Sequence, residues 1–141
     1  FNAAGEKFSE EDARNTIEMF ERAHDLRLDH WLFYQDDSVM PNRYVLAVES
    51  DASLDWDTCI DELEDYMGEC NKRYPSQRAK AFIGRLTIKQ QNPGTHDAWT
   101  AQCIVRGASA AQIKPVHSLD NEEKRAFFLQ RMKDICDSPK N

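Results

Sequence analysis

The four cysteines restrict the possible folds of this 141-residue chain more than any other feature of its sequence. Cys59 and Cys70 both fall on the apolar stripe of one predicted helix. They lie eleven positions apart, so a rise of ~1.5 Å per residue separates them by roughly 16 Å along one helix face. A disulfide requires Cα atoms within about 7 Å of each other. If that helix forms, each of the two would therefore have to reach Cys103 or Cys136.

Two disulfide arrangements satisfy this condition, and the sequence leaves both open. We prefer Cys59–Cys103 with Cys70–Cys136, and the alternative is Cys59–Cys136 with Cys70–Cys103. Oxidised cysteines are expected because their number is even, the chain is short, no CxxC pair is present and the first residue is Phe1 rather than Met. These features are typical of a small secreted domain. Four reduced, buried thiols in an intracellular protein are the alternative interpretation.

Composition and charge exclude several classes of protein. The net charge of −7 and a pI near 5.1 disfavour binding to nucleic acid or to anionic membranes. No apolar run approaches the length of a membrane span. The length suits one domain, which we predict over residues 9–137, preceded by a flexible segment at 1–8 and followed by a tail at 138–141.

Hydrophobic periodicity predicts the element order α-ββ-α-ββ-α. The first helix begins at an N-cap serine, and the last begins at a plausible capping box. A turn signal at 91–96 separates the third and fourth strands. The predicted elements are a helix over 9–27, strands at 31–35 and 43–50, a helix from 53–55 to Cys70, strands at 78–90 and 97–106, and a helix from Asp120 to Cys136.

This order predicts an α+β fold. A single four-stranded, mainly antiparallel sheet with about three helices packed on one face would bury every amphipathic helix against one apolar surface. The second helix would connect two parallel strands, as in split βαβ sandwiches. Both disulfide arrangements would then staple the layer between helices and sheet.

No combination of residues in the sequence indicates catalysis. His24 and His30 flank an Asp-rich turn that has suitable atoms for a metal ion but no recognised ligand spacing. Asp36 and Asp37 lie in a predicted hairpin loop, without a second carboxylate placed across a cleft. The cysteines fall on core-facing stripes, where a catalytic thiol would be poorly placed. We therefore predict no catalytic residues, no metal and no cofactor.

One face of the predicted sheet is the best candidate surface for binding another protein. It would point away from the helices and combine basic with apolar side chains. The candidate partner-binding residues are Arg85, Lys89, Arg106, Ile83, Ile104 and Tyr34.

In size, cysteine number, absence of enzyme motifs and alternation of helices with hairpins, the chain resembles the small secreted cysteine-containing effectors of plant-pathogenic fungi. These include α/β-sandwich groups related to killer-toxin and avirulence proteins. The resemblance implies a secreted, non-enzymatic protein that binds a host protein or receptor. Two alternatives are a small secreted hydrolase or nuclease, which would use the Asp36/Asp37 loop or the His24–His30 turn, and an intracellular adaptor domain with reduced cysteines.

Overall fold

The computed structural model of the chain describes residues 7–50 and 53–134. Within these residues, four strands form one sheet in the order β1-β2-β3-β4. The β1/β2 and β3/β4 pairs are antiparallel, and β2/β3 is parallel. The predicted α+β class with a four-stranded sheet is therefore confirmed. The elements are α1 (Glu10–His24), β1 (His30–Asp36), β2 (Arg43–Glu49), α2 (Trp56–Cys70), α3 (Arg73–Ala79), β3 (Thr87–Gln91), α4 (Thr95–Val105), a 3₁₀ turn (Ala110–Gln112), α5 (Glu122–Leu129) and β4 (Met132–Asp134).

The first half of the chain folds largely as its sequence pattern predicts. Ser9 caps α1 through a capping box, because its hydroxyl accepts from the N–H of Asp12 while the Asp12 carboxylate accepts from the N–H of Ser9. The helix ends three residues before the predicted boundary, since Asp25 adopts a left-handed conformation with φ of 51°. The β1/β2 hairpin and α2 also form where they were predicted.

The prediction of a strand over 97–106 is wrong, because this segment forms α4. Gly94, with φ of 85°, turns the chain at the end of β3. The Glu49 carboxylate at the end of β2 then accepts from the N–H of Gly94 at 2.7 Å and of His96 at 3.0 Å. These contacts satisfy backbone donors at the start of a helix. Trp99 and Cys103, one helical turn apart, face inward.

The third strand and the last helix are both shorter than predicted. Only the end of the predicted 78–90 strand forms β3, because Arg73–Ala79 is a helix in which Pro75 occupies the first turn, where its missing N–H is tolerated. The last helix ends at Leu129, and Met132–Asp134 pairs with β3 as β4. The predicted continuation to Cys136 lies outside the described residues.

Helices cover both faces of the sheet, so the predicted packing on one face is wrong. Alternate residues of β1 and β2 point to opposite sides and enter two separate hydrophobic clusters. The α1/α2 layer contains Ile17, Phe20, Phe33, Leu46, Trp56, Leu63, Ile83 and Ile88 among others. The α4/α5 layer contains Leu32, Tyr34, Val45, Ala47, Trp99, Val116, Leu119, Phe127 and Phe128.

The disulfide staple is not supported by this arrangement. Cys59, Cys70 and Cys103 carry free thiols, and Cys136 lies outside the described residues. Each predicted arrangement needs one bond between α2 and Cys103. Cys59 belongs to the α1/α2 layer and the Cys70 thiol donates to the sulfur of Met19 on α1 at 3.9 Å, whereas Cys103 packs against the α4/α5 layer, so the sheet separates Cys103 from both.

Two outlying segments pack onto the sheet. Phe8, which we placed in the flexible segment, is fully buried and meets the ring of Phe33 edge-on with centroids 5.7 Å apart. In the connection at 107–119, the carbonyl of His117 accepts from the N–H of Phe33 at 3.0 Å. The His117 ring stacks on the Trp31 ring with centroids 3.8 Å apart, and its Nδ1 donates to the Trp31 carbonyl at 2.9 Å.

Among the described residues, the helices are too short or too polar to cross a membrane.

Candidate functional site

The six predicted partner-binding residues do not form one surface. Ile83 is 1% exposed in the α1/α2 layer, and Tyr34 is 4% exposed in the α4/α5 layer. The Tyr34 hydroxyl donates to the sulfur of Met132 at 3.6 Å, and burial raises the pKa of Tyr34. Both side chains are therefore core residues.

The remaining four of these residues lie on different elements. Arg85 precedes β3 and pairs with Asp61 of α2 at 3.0 Å. Arg106 at the end of α4 pairs with Glu123 of α5. Lys89 of β3 lies beside Tyr34, where its charge opposes the rise in the tyrosine pKa. Ile104 is 46% exposed on α4.

Asp36 and Asp37 stabilise the hairpin and are not arranged as a catalytic pair. Asp36 accepts from the N–H and hydroxyl of Ser38 at 3.0 and 2.6 Å and from Nε of Arg43 at 3.0 Å. Burial alone would raise the pKa of Asp36, but these hydrogen bonds outweigh it and lower the pKa. Asp37 is exposed and accepts from the Gln35 amide at 2.9 Å.

The two histidines of the predicted turn separate into different clusters. The first cluster lies where the last turn of α1 meets α2. Nε2 of His24 lies 2.9 and 3.1 Å from the two carboxylate oxygens of Glu62, which also accepts from the Tyr66 hydroxyl at 2.6 Å. Cys59, one turn before Glu62, completes a group whose ligand atoms lie within 4.8 Å of one another.

The electrostatics of this first cluster follow from its partial burial. The hydrogen bond to Glu62 raises the pKa of Tyr66 to about 12. Burial would raise the pKa of Glu62, but the bonds from Tyr66 and His24 outweigh it and lower the pKa. Burial and the nearby Glu62 charge raise the pKa of the Cys59 thiol. Without a cation beside it, this thiol is therefore not a ready nucleophile.

The second cluster connects β2, α4 and the 107–119 connection. Nδ1 of His96 lies 2.9 Å from Glu49, and its Nε2 lies 3.4 Å from the Val116 carbonyl. His30 stacks on His96 with ring centroids 4.3 Å apart. Burial lowers the pKa of His96 more strongly than its bond to Glu49 raises it. The buried imidazole is therefore held neutral and serves to join three segments.

A third cluster joins α2, α3 and the start of β3. The Glu64 carboxylate accepts from Nε and Nη2 of Arg78 at 2.7 and 3.1 Å, from the Tyr74 hydroxyl at 2.8 Å and from the N–H of Leu86 at 3.0 Å. Burial would raise the pKa of Glu64, but these donors hold the pKa below its usual range. All the donors come from within the domain, so the carboxylate serves the fold.

One surface cleft lies beside the hairpin and the start of α2. A cleft of about 560 Å³ lies between the β1/β2 loop and the start of β3. Its walls combine apolar side chains such as Met40 and Leu86 with Arg43, Asp57 and Arg85. The described residues that line it include no imidazole and no thiol.

Comparison with known proteins identifies the family. Residues 11–123 match the GH3 family C-terminal domain. The chain belongs to this family. Over 139 residues it is 28% identical to the probable indole-3-acetic acid-amido synthetase GH3.7 of Oryza sativa subsp. japonica, covering 90% of this chain and 22% of the relative.

Solved structures agree with this assignment to the GH3 C-terminal domain. The GH3.15 acyl acid amido synthetase superposes with a TM-score of 0.67 at 26% identity, covering 88% of this chain and 23% of the other. The AtGH3.15 acyl acid amido synthetase in complex with 2,4-DB gives a TM-score of 0.65, with the same identity and coverage. The chain therefore spans between a fifth and a quarter of the length of these relatives.

Membership of the GH3 family corrects the functional predictions. The resemblance to fungal effectors was wrong, and so was the expectation of a non-enzymatic protein, because the relatives are amido synthetases. The error began with the cysteines, whose assumed oxidation suggested secretion, whereas the three described thiols are free. The two alternatives, a secreted hydrolase or nuclease that uses the Asp36/Asp37 loop or the His24–His30 turn and an adaptor domain with reduced cysteines, also name the wrong class. The extracellular location and the protein partner stay predictions.

The sequence patterns also missed the groups that the GH3 domain brings together. Glu49 and His96 lie far apart in the chain and meet only because α4 starts beside the end of β2. Cys59 and Glu62 are three positions apart on one predicted helix face, which was a usable signal. Connecting them to His24 required knowing how α1 and α2 pack.

Proposed function

We propose that this chain works as the C-terminal domain of an acyl acid amido synthetase, an enzyme that joins an acyl acid to an amine through an amide bond. The observation that carries the proposal is the structural likeness to the GH3.15 enzyme over most of the chain. The sequence similarity to the rice relative supports the same class independently.

The geometry favours a supporting role for this domain within a larger enzyme. The hydrogen-bonded clusters of Glu49, Glu64 and Asp36 are each satisfied from within the domain. Within the part of the chain that the structure describes, the 560 Å³ cleft is lined by no imidazole or thiol. The acyl acid would therefore bind mainly to the remaining part of the enzyme, which makes up more than three quarters of the relatives' length. A domain placed over that site would exclude water, which competes with the amine for an activated acyl group.

The outward face of α4 is the surface we assign to contact with the rest of the enzyme. Its inward side holds Trp99 in the α4/α5 layer. Its outward side is mostly apolar and exposed, with Val105 at 87% and Ile104 at 46% exposure next to Ala98 and Ala101, and it carries one acid, Asp97, in the first turn. An exposed apolar helix face of this kind is typical of a contact surface. The large part of the relatives that this chain does not cover is the occupant that we propose.

The test uses the complete protein that contains this chain. A carboxylate reacts with an amine only after its oxygen becomes a leaving group, so the assay supplies ATP as the activating reagent. Acyl acids, including indole-3-acetic acid, are incubated with amino acids, and amide products are measured by mass spectrometry. We expect amide formation by the complete protein and its loss when residues 1–141 are deleted. The absence of any amide product, or full activity after the deletion, would overturn the proposal.

A point substitution separates loss of function from loss of folding. Val105→Asp adds a charge to the outward face of α4, and we expect at least a tenfold lower rate of amide formation. Because Val105 is 87% exposed, the melting temperature of the 141-residue chain should stay unchanged. Ala79→Asp adds the same charge at the exposed end of α3 and serves as the control. Equal rates in the two variants would remove α4 as the contact surface.

A further inference from the structure

The cluster between α1 and α2 has the composition of a metal site. We propose that His24, Cys59 and Glu62 bind a divalent transition metal ion of the zinc type. One ring nitrogen, the thiol sulfur and one carboxylate oxygen already lie within 4.8 Å of one another. Imidazole, thiolate and carboxylate are the three side-chain ligands that zinc uses in proteins. This inference does not depend on the proposed amido synthetase function.

The spacing of the ligand atoms suits a tetrahedral ion. Bonds of about 2.0–2.3 Å place neighbouring ligands roughly 3.5 Å apart around zinc. Nε2 of His24 lies 2.9 Å from Oε1 of Glu62, and the three ligand atoms all lie within 4.8 Å of one another, so side-chain rotations that move these atoms by about an ångström would produce the zinc spacing. Their side chains are 26% and 30% exposed, which gives an ion access and leaves a fourth position for water.

Neighbouring residues hold the ligands in position before an ion binds. Cys59 and Glu62 are three residues apart on α2 and therefore share a helix face. The Tyr66 hydroxyl fixes the Glu62 carboxylate at 2.6 Å. The Phe20 ring packs on the His24 imidazole with centroids 4.3 Å apart. Outer contacts of this kind orient metal ligands and strengthen binding.

Other uses of the cluster fit its geometry less well. Magnesium and calcium prefer several oxygen ligands, and this cluster offers one carboxylate. On metal binding, the Cys59 thiol would lose its proton to solvent and coordinate as the thiolate. The bound ion would bridge the end of α1 to the start of α2.

Cobalt substitution tests the site directly on the reduced 141-residue chain. We expect Co²⁺ to produce thiolate-to-metal charge-transfer absorption and visible bands of tetrahedral cobalt, and Zn²⁺ to remove both by displacement. Mg²⁺ should not compete. Cys59→Ser should abolish the charge-transfer absorption, whereas Cys70→Ser, a control on the same helix, should keep it. His24→Gln and Glu62→Gln should each weaken Co²⁺ binding at least tenfold, and Tyr66→Phe about tenfold as a positioning residue.

Several results would overturn the proposal. One is the absence of charge-transfer absorption in the unaltered chain. Another is its persistence in Cys59→Ser, which would assign the thiolate to a different cysteine. A third is unchanged affinity in both His24→Gln and Glu62→Gln. Because these two side chains are partly exposed, their variants should keep the fold, as checked by circular dichroism, and they decide the question even if the Cys59 variant unfolds.

Discussion

Replacing Glu64 with glutamine should destabilise the domain by about 2 kcal/mol at neutral pH. The carboxylate accepts four hydrogen bonds, two of them from the Arg78 guanidinium. A glutamine side chain keeps one acceptor oxygen, but its NH₂ group would face donors that now give hydrogen bonds to the second carboxylate oxygen of Glu64. Losing a hydrogen bond to a charged group costs roughly 1.5–3 kcal/mol, and the 28% exposure of Arg78 lets water recover part of this. For 141 residues, about 2 kcal/mol corresponds to a melting temperature roughly 7 °C lower.

The pH dependence of this effect follows from the carboxylate. The folded-state pKa of Glu64 is lowered, so its contribution to stability is complete above the unfolded-state pKa of about 4.3. The contribution is lost as the pH falls through the lower, folded-state pKa. The Glu64→Gln variant should therefore differ from the unaltered chain by about 2 kcal/mol at pH 7. The difference should shrink below about pH 4.

Urea unfolding followed by tryptophan fluorescence measures this difference, since all three tryptophans are buried. Glu69→Gln, at an exposed position of the same helix, is the control and should change the free energy of unfolding by less than about 0.5 kcal/mol. A double-mutant cycle with Arg78→Gln isolates the pair. A loss in Glu64→Gln no larger than that of the control, or one that does not change with pH, would refute the reasoning.

Two further substitutions probe other parts of the fold. Burial, helped by the neighbouring His30, lowers the pKa of His96 even though its bond to Glu49 opposes this, so acidification below about pH 6.5 should reduce the free energy of unfolding. His96→Gln should flatten this dependence in urea titrations between pH 7 and 5, and an equally steep profile would contradict it. Gly68→Ala would place a Cβ 2.8 Å from Cγ of Pro75. The steric cost of about 1–3 kcal/mol should exceed the helical gain of about 1 kcal/mol and lower the melting temperature, whereas a rise would show that Pro75 moves aside.

The elements that sequence patterns predict correctly are those whose determinants are local. The Ser9 capping box and the apolar stripe of α1 lie within one helix, and both are visible without any partner. The β1/β2 hairpin depends on two runs of aromatic and branched residues close together in the chain. In each case the local preference and the tertiary fold agree.

Helix α4 was misassigned because its sequence satisfies two periods. Trp99, Ala101, Cys103 and Val105 alternate as a strand would require. In the helix, Trp99 and Cys103 face the α4/α5 layer while Ala101 and Val105 are exposed. The contact that favours the helix comes from Glu49, more than forty positions away, and no local pattern contains it. Strand β4 was missed for the same reason, since three residues form a strand only because β3 offers an edge.

The candidate metal site was predictable only in part. The sequence directed attention to His24 and His30 because they share one turn. The structure instead pairs His24 with Glu62 and stacks His30 on His96. Which helix faces meet depends on how the sheet distributes its helices between two sides, and the prediction of a single helical layer left that undetermined.

The His117 contact affects how this protein avoids aggregation. Strand β1 lies at the edge of the sheet and is rich in aromatic residues, a combination that favours pairing with a strand of another molecule. His117 occupies two of the outward backbone groups of β1, the N–H of Phe33 and the carbonyl of Trp31. Its ring also covers the Trp31 side chain. A foreign strand would have to displace the 107–119 connection, so this short irregular segment protects the domain against edge-to-edge self-association.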